Sequence, residues 1–185
     1  MDPSLLVKKA QPSQPQIPYQ ATHTFDEFPI CDGLKQNIRA RGYTIPTPIQ
    51  DQAIGYLLAG RDVVGIANTG TGKTAAFLIS LIQKIYLDRS KKALIVAPTR
   101  ELAIQILEET RVFTRGLGIT SLLCIGGVGM YPQIAGLGRN PDIVVGTPGR
   151  LKDLNNQGKL HFSLYTSIVL DEVDRMLDMG FIQDI

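Results

Sequence analysis

Val63-Val64-Gly65-Ile66-Ala67-Asn68-Thr69-Gly70-Thr71-Gly72-Lys73-Thr74 begins as an apolar, strand-like run and ends as a glycine-rich loop carrying a lysine and a threonine. Gly70 and Gly72 let the backbone curl tightly and turn its N–H groups inward on an anion. A helix predicted from Thr74 to Leu87 adds its positive N-terminal end at the same point. Lys73 is then placed to reach the β and γ phosphates of a nucleotide, and the Thr74 hydroxyl to bind magnesium. Ala67 stands where the general pattern begins with glycine. The competing reading is a plain strand-to-helix turn, against which Gly-Lys-Thr after an apolar strand argues.

About a hundred residues on, Ile168-Val169-Leu170-Asp171-Glu172-Val173-Asp174 is a second apolar strand, ending in two adjacent carboxylates. Charge at the end of such a strand is costly unless it faces a metal or water. With magnesium bound, Asp171 would hold the ion and Glu172 would orient and deprotonate an attacking water. Acidic residues also suit the start of the helix expected near Asp174, and the pair alone does not decide between these readings. The phosphate loop upstream favours the first. Together the two motifs point to a nucleoside triphosphatase domain.

Further continuous apolar runs lie at Ala93–Val96, Ser121–Ile125 and Ile143–Val145, with helix-like segments such as Glu101–Thr114 between them. Strands apolar on both faces, alternating with helices, predict an open, mainly parallel α/β sheet with right-handed crossovers. Ligands of such sheets sit beyond the carboxyl ends of strands, where every motif here falls.

Composition sets wide bounds. With 44% hydrophobic and 19% charged residues the chain is an ordinary globular one, and a net charge of +2 is too small to identify a polyanionic partner. Cys31 and Cys124 lack partner-like spacing and read as reduced thiols of a cytoplasmic protein, while His23 and His161 are too isolated for a zinc site. No apolar run reaches membrane length, and the N-terminus lacks the features of a signal peptide. Residues 1–22, with four prolines and little apolar content, are expected to be a disordered Pro/Gln-rich tail.

Gly42-Tyr43-Thr44-Ile45-Pro46-Thr47-Pro48-Ile49-Gln50 has two readings. Thr47 as N-cap, Pro48 at the first helical position and Gln50 at the third make a capping box. The Gln50 amide can equally donate to and accept from an adenine edge, with Tyr43 stacked on the base. The residues alone favour capping and allow both. Pro98-Thr99-Arg100 and Thr147-Pro148-Gly149-Arg150 each put a threonine at a helix start with an arginine beside it, and Gly126-Gly127 permits close backbone approach. Singly, each reads as an ordinary turn.

As an ordered set these segments resemble the motifs of DEAD-box RNA helicases, over about Phe25 to Ile185, and Phe25 stands at the family's usual distance before Gly42. The resemblance implies an N-terminal RecA-like domain over 52–185, preceded by an adenine-recognition segment at 23–51. It implies ATP and Mg2+ as cofactors, with Tyr43 and Gln50 at the adenine, and Thr69, Gly70, Thr71, Gly72, Lys73 and Thr74 on the phosphates. Thr74 and Asp171 would hold the metal, Lys73 and Glu172 would be catalytic, and Asp174 would couple to a later Ser-Ala-Thr motif. Pro98, Thr99, Arg100, Gly126, Gly127, Thr147, Gly149 and Arg150 would bind RNA through sugar and phosphate, independent of base sequence. Val173 replaces the family's usual alanine, and Ile45 a basic residue found in many members. Neither the Ser-Ala-Thr motif nor the second, arginine-bearing domain is in these 185 residues, so the chain is expected to be a truncated N-terminal half. The family's sheet order puts the Ser-Ala-Thr strand between Val63–Ile66 and Ile168–Leu170, which should therefore face a gap of roughly 10 Å. The alternatives are a nonhydrolysing ATP- or RNA-binding module, and a phosphate-loop ATPase unrelated to RNA.

Overall fold

The computed structural model describes residues 19–183. Four parallel strands, β1 (Ala93–Val96), β2 (Ser121–Cys124), β3 (Ile143–Gly146) and β4 (Ser167–Leu170), form one sheet in the order β2-β3-β1-β4. The register is unslipped, with Ala93 opposite both Ile143 and Ser167, and Val96 opposite both Gly146 and Leu170. The two inner strands, β1 and β3, are buried along their whole length, as continuous apolar strands require.

Helices cover both faces. On one lie α1 (Asp32–Ala40), α2 (Pro48–Leu58), α3 (Lys73–Leu87) and α4 (Arg100–Phe113). Their core gathers Leu34, Ile54, Leu78, Ile82, Ile106 and Phe113 against Ala93, Ile95, Ile143 and Val145. On the other lie α5 (Met130–Leu137), α6 (Pro148–Asn156) and α7 (Val173–Asp178), where Leu151, Leu154 and Met176 meet Leu94, Val96 and Val144. Alternate residues of one strand thus serve two cores, which fixes register strongly. The helices expected at 74–87 and 101–114 each begin one residue earlier, and the second ends one earlier.

Two expectations are corrected. Val63–Ile66 is not a strand: the segment joins no ladder among the described residues, with Val64 and Ile66 91% and 94% exposed. A segment so exposed can leave its N–H and C=O groups to solvent instead of a ladder partner. The paired neighbour of β4 is β1, and among the described residues no ladder joins β4 to residues 63–66.

The second correction concerns the boundary of the tail. Residues 1–18 lie outside the described residues, but 19–22 are docked rather than free. Asp51 in the first turn of α2 is buried, and its carboxylate accepts from Tyr19 Oη at 2.6 Å, and from Thr22 N and Oγ1, each at 2.7 Å. His23 N also donates to it at 3.1 Å, and His23 Nδ1 lies 2.7 Å away. Burial alone would raise the Asp51 pKa, but the bonds from Tyr19 and Thr22 outweigh it and hold the group well below the usual carboxylate range. A depressed folded-state value means the contribution is complete above the unfolded value of 3.8 and disappears as pH falls below it toward the folded value. Asp51→Ala should remove charge-assisted bonds worth about 2 kcal/mol and lower the melting temperature at pH 7 by about 4–8 °C. The difference from the unmutated chain should shrink when both are melted at strongly acid pH.

Candidate nucleotide and nucleic-acid sites

The phosphate loop is held from behind by the start of α2. Thr47 is the N-cap of α2, Pro48 its first residue and Gln50 completes the capping box. Gln50 Oε1 accepts from Thr47 N at 3.0 Å, Gln50 Nε2 donates to the Gly72 carbonyl at 3.1 Å, and Thr47 Oγ1 donates to the Thr71 carbonyl at 2.7 Å. Gly72 has φ +92°, and a Cβ there would overlap the Gln50 amide. Glycine is therefore required at 72 both for its dihedral and for this close approach. Gln50 is fully buried with both amide groups engaged, so the capping role is met and its amide faces the loop's backbone.

Within the loop, Lys73 Nζ donates to the carbonyls of Ala67 and, at 3.1 Å, Asn68. The ammonium sits among the loop's own acceptors, where an anion would compete for it. A cavity of about 350 Å³ opens here, lined by Thr69, Gly70, Gly72, Lys73 and Thr74 from the loop and by Asp171 and Glu172. Residues about a hundred apart in sequence are thereby brought to one wall. Thr71, with its hydroxyl turned to the Asn68 carbonyl at 2.7 Å, supports the loop.

Tyr43 also lines the cavity, its ring edge-on to Phe25 (6.1 Å between centroids) and tilted against Phe113 (5.9 Å). Its hydroxyl donates to Glu109 Oε1 at 3.3 Å, and Arg41 Nε donates to Glu109 Oε2 at 3.0 Å. Burial, helped by Glu109, raises the Tyr43 phenol's pKa. Sequence reasoning overlooked Gln105 and Glu109, which line the cavity from α4. The available signal was the stripe Leu102, Gln105, Ile106, Glu109, whose helical spacing sets two polar residues on an inward face.

Asp171 is buried at the end of β4, where burial first and the neighbouring Glu172 charge second raise its pKa, opposed by Lys73. Glu172 follows with φ +51°, a left-handed conformation uncommon for glutamate and a recurrent mark of functional sites. Its carboxylate accepts from Arg175 Nη1 at 3.4 Å. Asp174 is exposed in the first turn of α7. Because ionised Asp171 is disfavoured by folding, its cost is absent at low pH and grows as pH rises from the unfolded value to the raised folded one. Asp171→Asn should therefore raise the melting temperature at pH 7. A thermal melt of both forms without divalent cation checks it, and a lower melting point for Asp171→Asn would contradict it.

The second group lies at the same carboxyl edge of the sheet. Thr99 caps α4, its hydroxyl accepting from Leu102 N at 3.2 Å, and Thr147 occupies the N-cap of α6. The loop after β2, the edge strand beside β3, meets the arginines that follow both threonines. Arg100 lies against Gly126 and Gly127, and at Gly127 (φ +76°) any Cβ would overlap the guanidinium. Arg150 donates from Nη1 and Nη2 to the Val128 carbonyl at 3.3 and 3.4 Å, while its Nε is buried without a partner. Gln133 Nε2 ties the loop from beneath, donating to the Ile125 and Gly129 carbonyls at 3.0 and 3.2 Å. Pro98 is buried before Thr99, whereas Gly149 is partly exposed in the first turn of α6.

A model of the DEAD/DEAH box helicase family matches residues 47–185. This chain belongs to that family. Among its DEAD/DEAH relatives is the ATP-dependent RNA helicase RhlB of Pseudomonas putida, 42% identical over 177 residues that cover 91% of this chain and 44% of the relative. Two solved structures are similar in fold. One is a DEAD box protein from the hyperthermophile Methanococcus jannaschii, with TM-score 0.83 and 41% identity over 87% of this chain and 44% of that one. The other is a hypothetical ATP-dependent RNA helicase from Sulfolobus tokodaii, with TM-score 0.78 and 38% identity over 84% and 45%. The chain thus spans less than half the length of these relatives. Among the described residues no helix is long and apolar enough to cross a membrane.

Proposed function

We propose that this chain is the ATP-binding, RNA-gripping half of an ATP-dependent RNA helicase, in which ATP hydrolysis is coupled to local separation of RNA strands. One observation carries the reading: Lys73, Thr74, Asp171 and Glu172 share a single cavity, and the Arg100/Arg150 loop lies along the same edge of the sheet. The residues suit a nucleotide with its magnesium. The cavity has nucleotide-like volume, the loop ends in a helix N-terminus, and Asp171 is a buried carboxylate whose charge needs a compensating cation. An ion there would be held by the Asp171 carboxylate, the Thr74 hydroxyl and phosphate oxygens. Bound there, Mg2+ would neutralise charge developing on the transferred phosphoryl group.

The chain's own groups divide the work. Lys73 exchanges the Ala67 and Asn68 carbonyls for phosphate oxygens, and Gly70 and Gly72 let loop N–H groups close on them. Glu172, released from Arg175, orients the attacking water and accepts its proton. Gln50 either reads the adenine edge, by exchanging its bond to Gly72 for the base, or acts through the loop by holding Gly72 in place. The Tyr43 ring walls the base end. Asp174 faces outward, where a second domain, on this reading the family's other half, would engage. Arg100, Gly126, Gly127, Thr147, Gly149 and Arg150 take the sugar-phosphate strand. We place the protein in the cytoplasm: Cys31 and Cys124 are free, and burial pushes the Cys124 thiol up to about 12.

Nucleotide competition tests the reading. A labelled ATP analogue should bind with magnesium and be displaced by ATP far better than by GTP. In Gln50→Ala affinity should fall and that discrimination should be lost. Equal affinities for ATP and GTP in the unmutated chain would refute adenine recognition, and absence of nucleotide binding would refute the site itself.

A further inference from the structure

α5 turns two different faces to its surroundings. Met130, Ile134 and Leu137 pack on the lower core, and Gln133 is buried beneath the Gly126–Gly129 loop. Tyr131, Pro132 and Ala135 point the other way. Tyr131 is 82% exposed and follows Gly129 by two residues, so a large flat ring stands beside the loop that Arg100 and Arg150 frame. Val128, half exposed at the tip of that loop, extends the apolar surface. The ring serves no core, and it is carried on a helix rather than on a loop.

The same loop holds a cation that is under-satisfied. Both bonds from Arg150 to Val128 are long, and its Nε is buried with no partner at all. The buried Nε is out of an outside ligand's reach, but the two Nη groups, held only by long bonds at the exposed end of the guanidinium, have donors left for an anion. A phosphate there would bring the neighbouring nucleotide of a single strand within reach of the Tyr131 ring. Charged backbone grips combined with aromatic faces are how single strands are bound without sequence preference, because every base has a π face.

We propose that Tyr131 is a stacking platform for one unpaired base of the RNA strand whose phosphates engage Arg100 and Arg150. The inference rests on the RNA-binding reading above and adds to it a contact with a base. One base would then be held flat against α5 while the strand continues along the arginine edge. The platform accepts any base, so affinity gains without sequence specificity.

The test uses two probes of equal length at low salt, single-stranded oligouridine and the corresponding abasic ribose-phosphate oligomer. Tyr131→Ala should weaken oligouridine binding by about five- to a hundredfold, the range expected for one lost stack. It should leave binding of the abasic oligomer and of ATP unchanged. Tyr131→Phe should bind as the unmutated chain does, since stacking needs the ring and not the hydroxyl. The chain has no tryptophan, so quenching of tyrosine fluorescence by oligouridine should be smaller in Tyr131→Ala. Equal oligouridine affinity in Tyr131→Ala would overturn the proposal and leave the exposed ring as a surface for a protein partner. Equal losses on both oligomers would overturn it as well, by showing a backbone or structural effect. If the unmutated chain binds neither oligomer, the RNA-binding reading fails and the platform fails with it.

Discussion

Replacing Lys73 by alanine is expected to lower ATP affinity by at least about a hundredfold, while Glu172→Gln leaves affinity nearly unchanged and removes turnover. Lys73 would contact phosphate in the ground state, and two charge-assisted bonds of that kind are worth roughly 3 kcal/mol or more. Its ammonium also neutralises the Ala67 and Asn68 carbonyls in the empty loop, so the substitution leaves acceptors pointing into the cavity with nothing to meet an anion. Glu172 acts on water during reaction, so its loss should appear in kcat, by about a hundred- to ten-thousandfold, and not in binding. Affinity is measured by titration of the 185-residue chain. Turnover is measured with RNA on the protein at the length of its relatives. Tight ATP binding by Lys73→Ala would show that the loop grips phosphate through its backbone alone. RNA-stimulated turnover retained in Glu172→Gln would remove Glu172 as the base.

The parts of the fold legible in the sequence are those set by short-range rules. β1 and β3 are buried on both faces and declare themselves as unbroken apolar runs; α3 and α4 follow from periodicity and from the groups at their starts. The phosphate loop and the Asp171-Glu172 pair were legible for another reason, since their chemistry requires particular residues at fixed spacing. What escaped depends on distant partners. Tyr19 and Thr22 look like solvated tail residues until Asp51 is seen beside them. Asp51 itself reads as an ordinary acid in the first turn of a helix. Glu109 looks like one of several surface acids of α4, because nothing local marks Arg41 and Tyr43 as its neighbours. Val63–Ile66 shows the opposite error. Its residues have strand propensity, but a strand is defined by its partners, and here it has none.

That unpaired segment leads to the second large effect: as a 185-residue polypeptide the chain should self-associate at micromolar concentrations and melt at low temperature. β4 pairs on one side with β1, and its other edge leaves N–H and C=O groups without a ladder. Ile168 and Leu170 stand exposed on one face of that edge strand, and Val64 and Ile66 are almost wholly in water. An open edge with apolar side chains is a template for another chain, and the chain lacks the usual defences there, since no lysine or proline interrupts Ser167–Leu170. Ile168→Lys should weaken association about tenfold or more, because a charge on an added strand must be buried, while costing little stability in the monomer where the site is already wet. Sedimentation across a concentration series separates the two effects. A monomer at all concentrations with a cooperative, high-temperature melt would mean that the open edge is shielded and that residues 63–66 contribute little to the stability of the sheet.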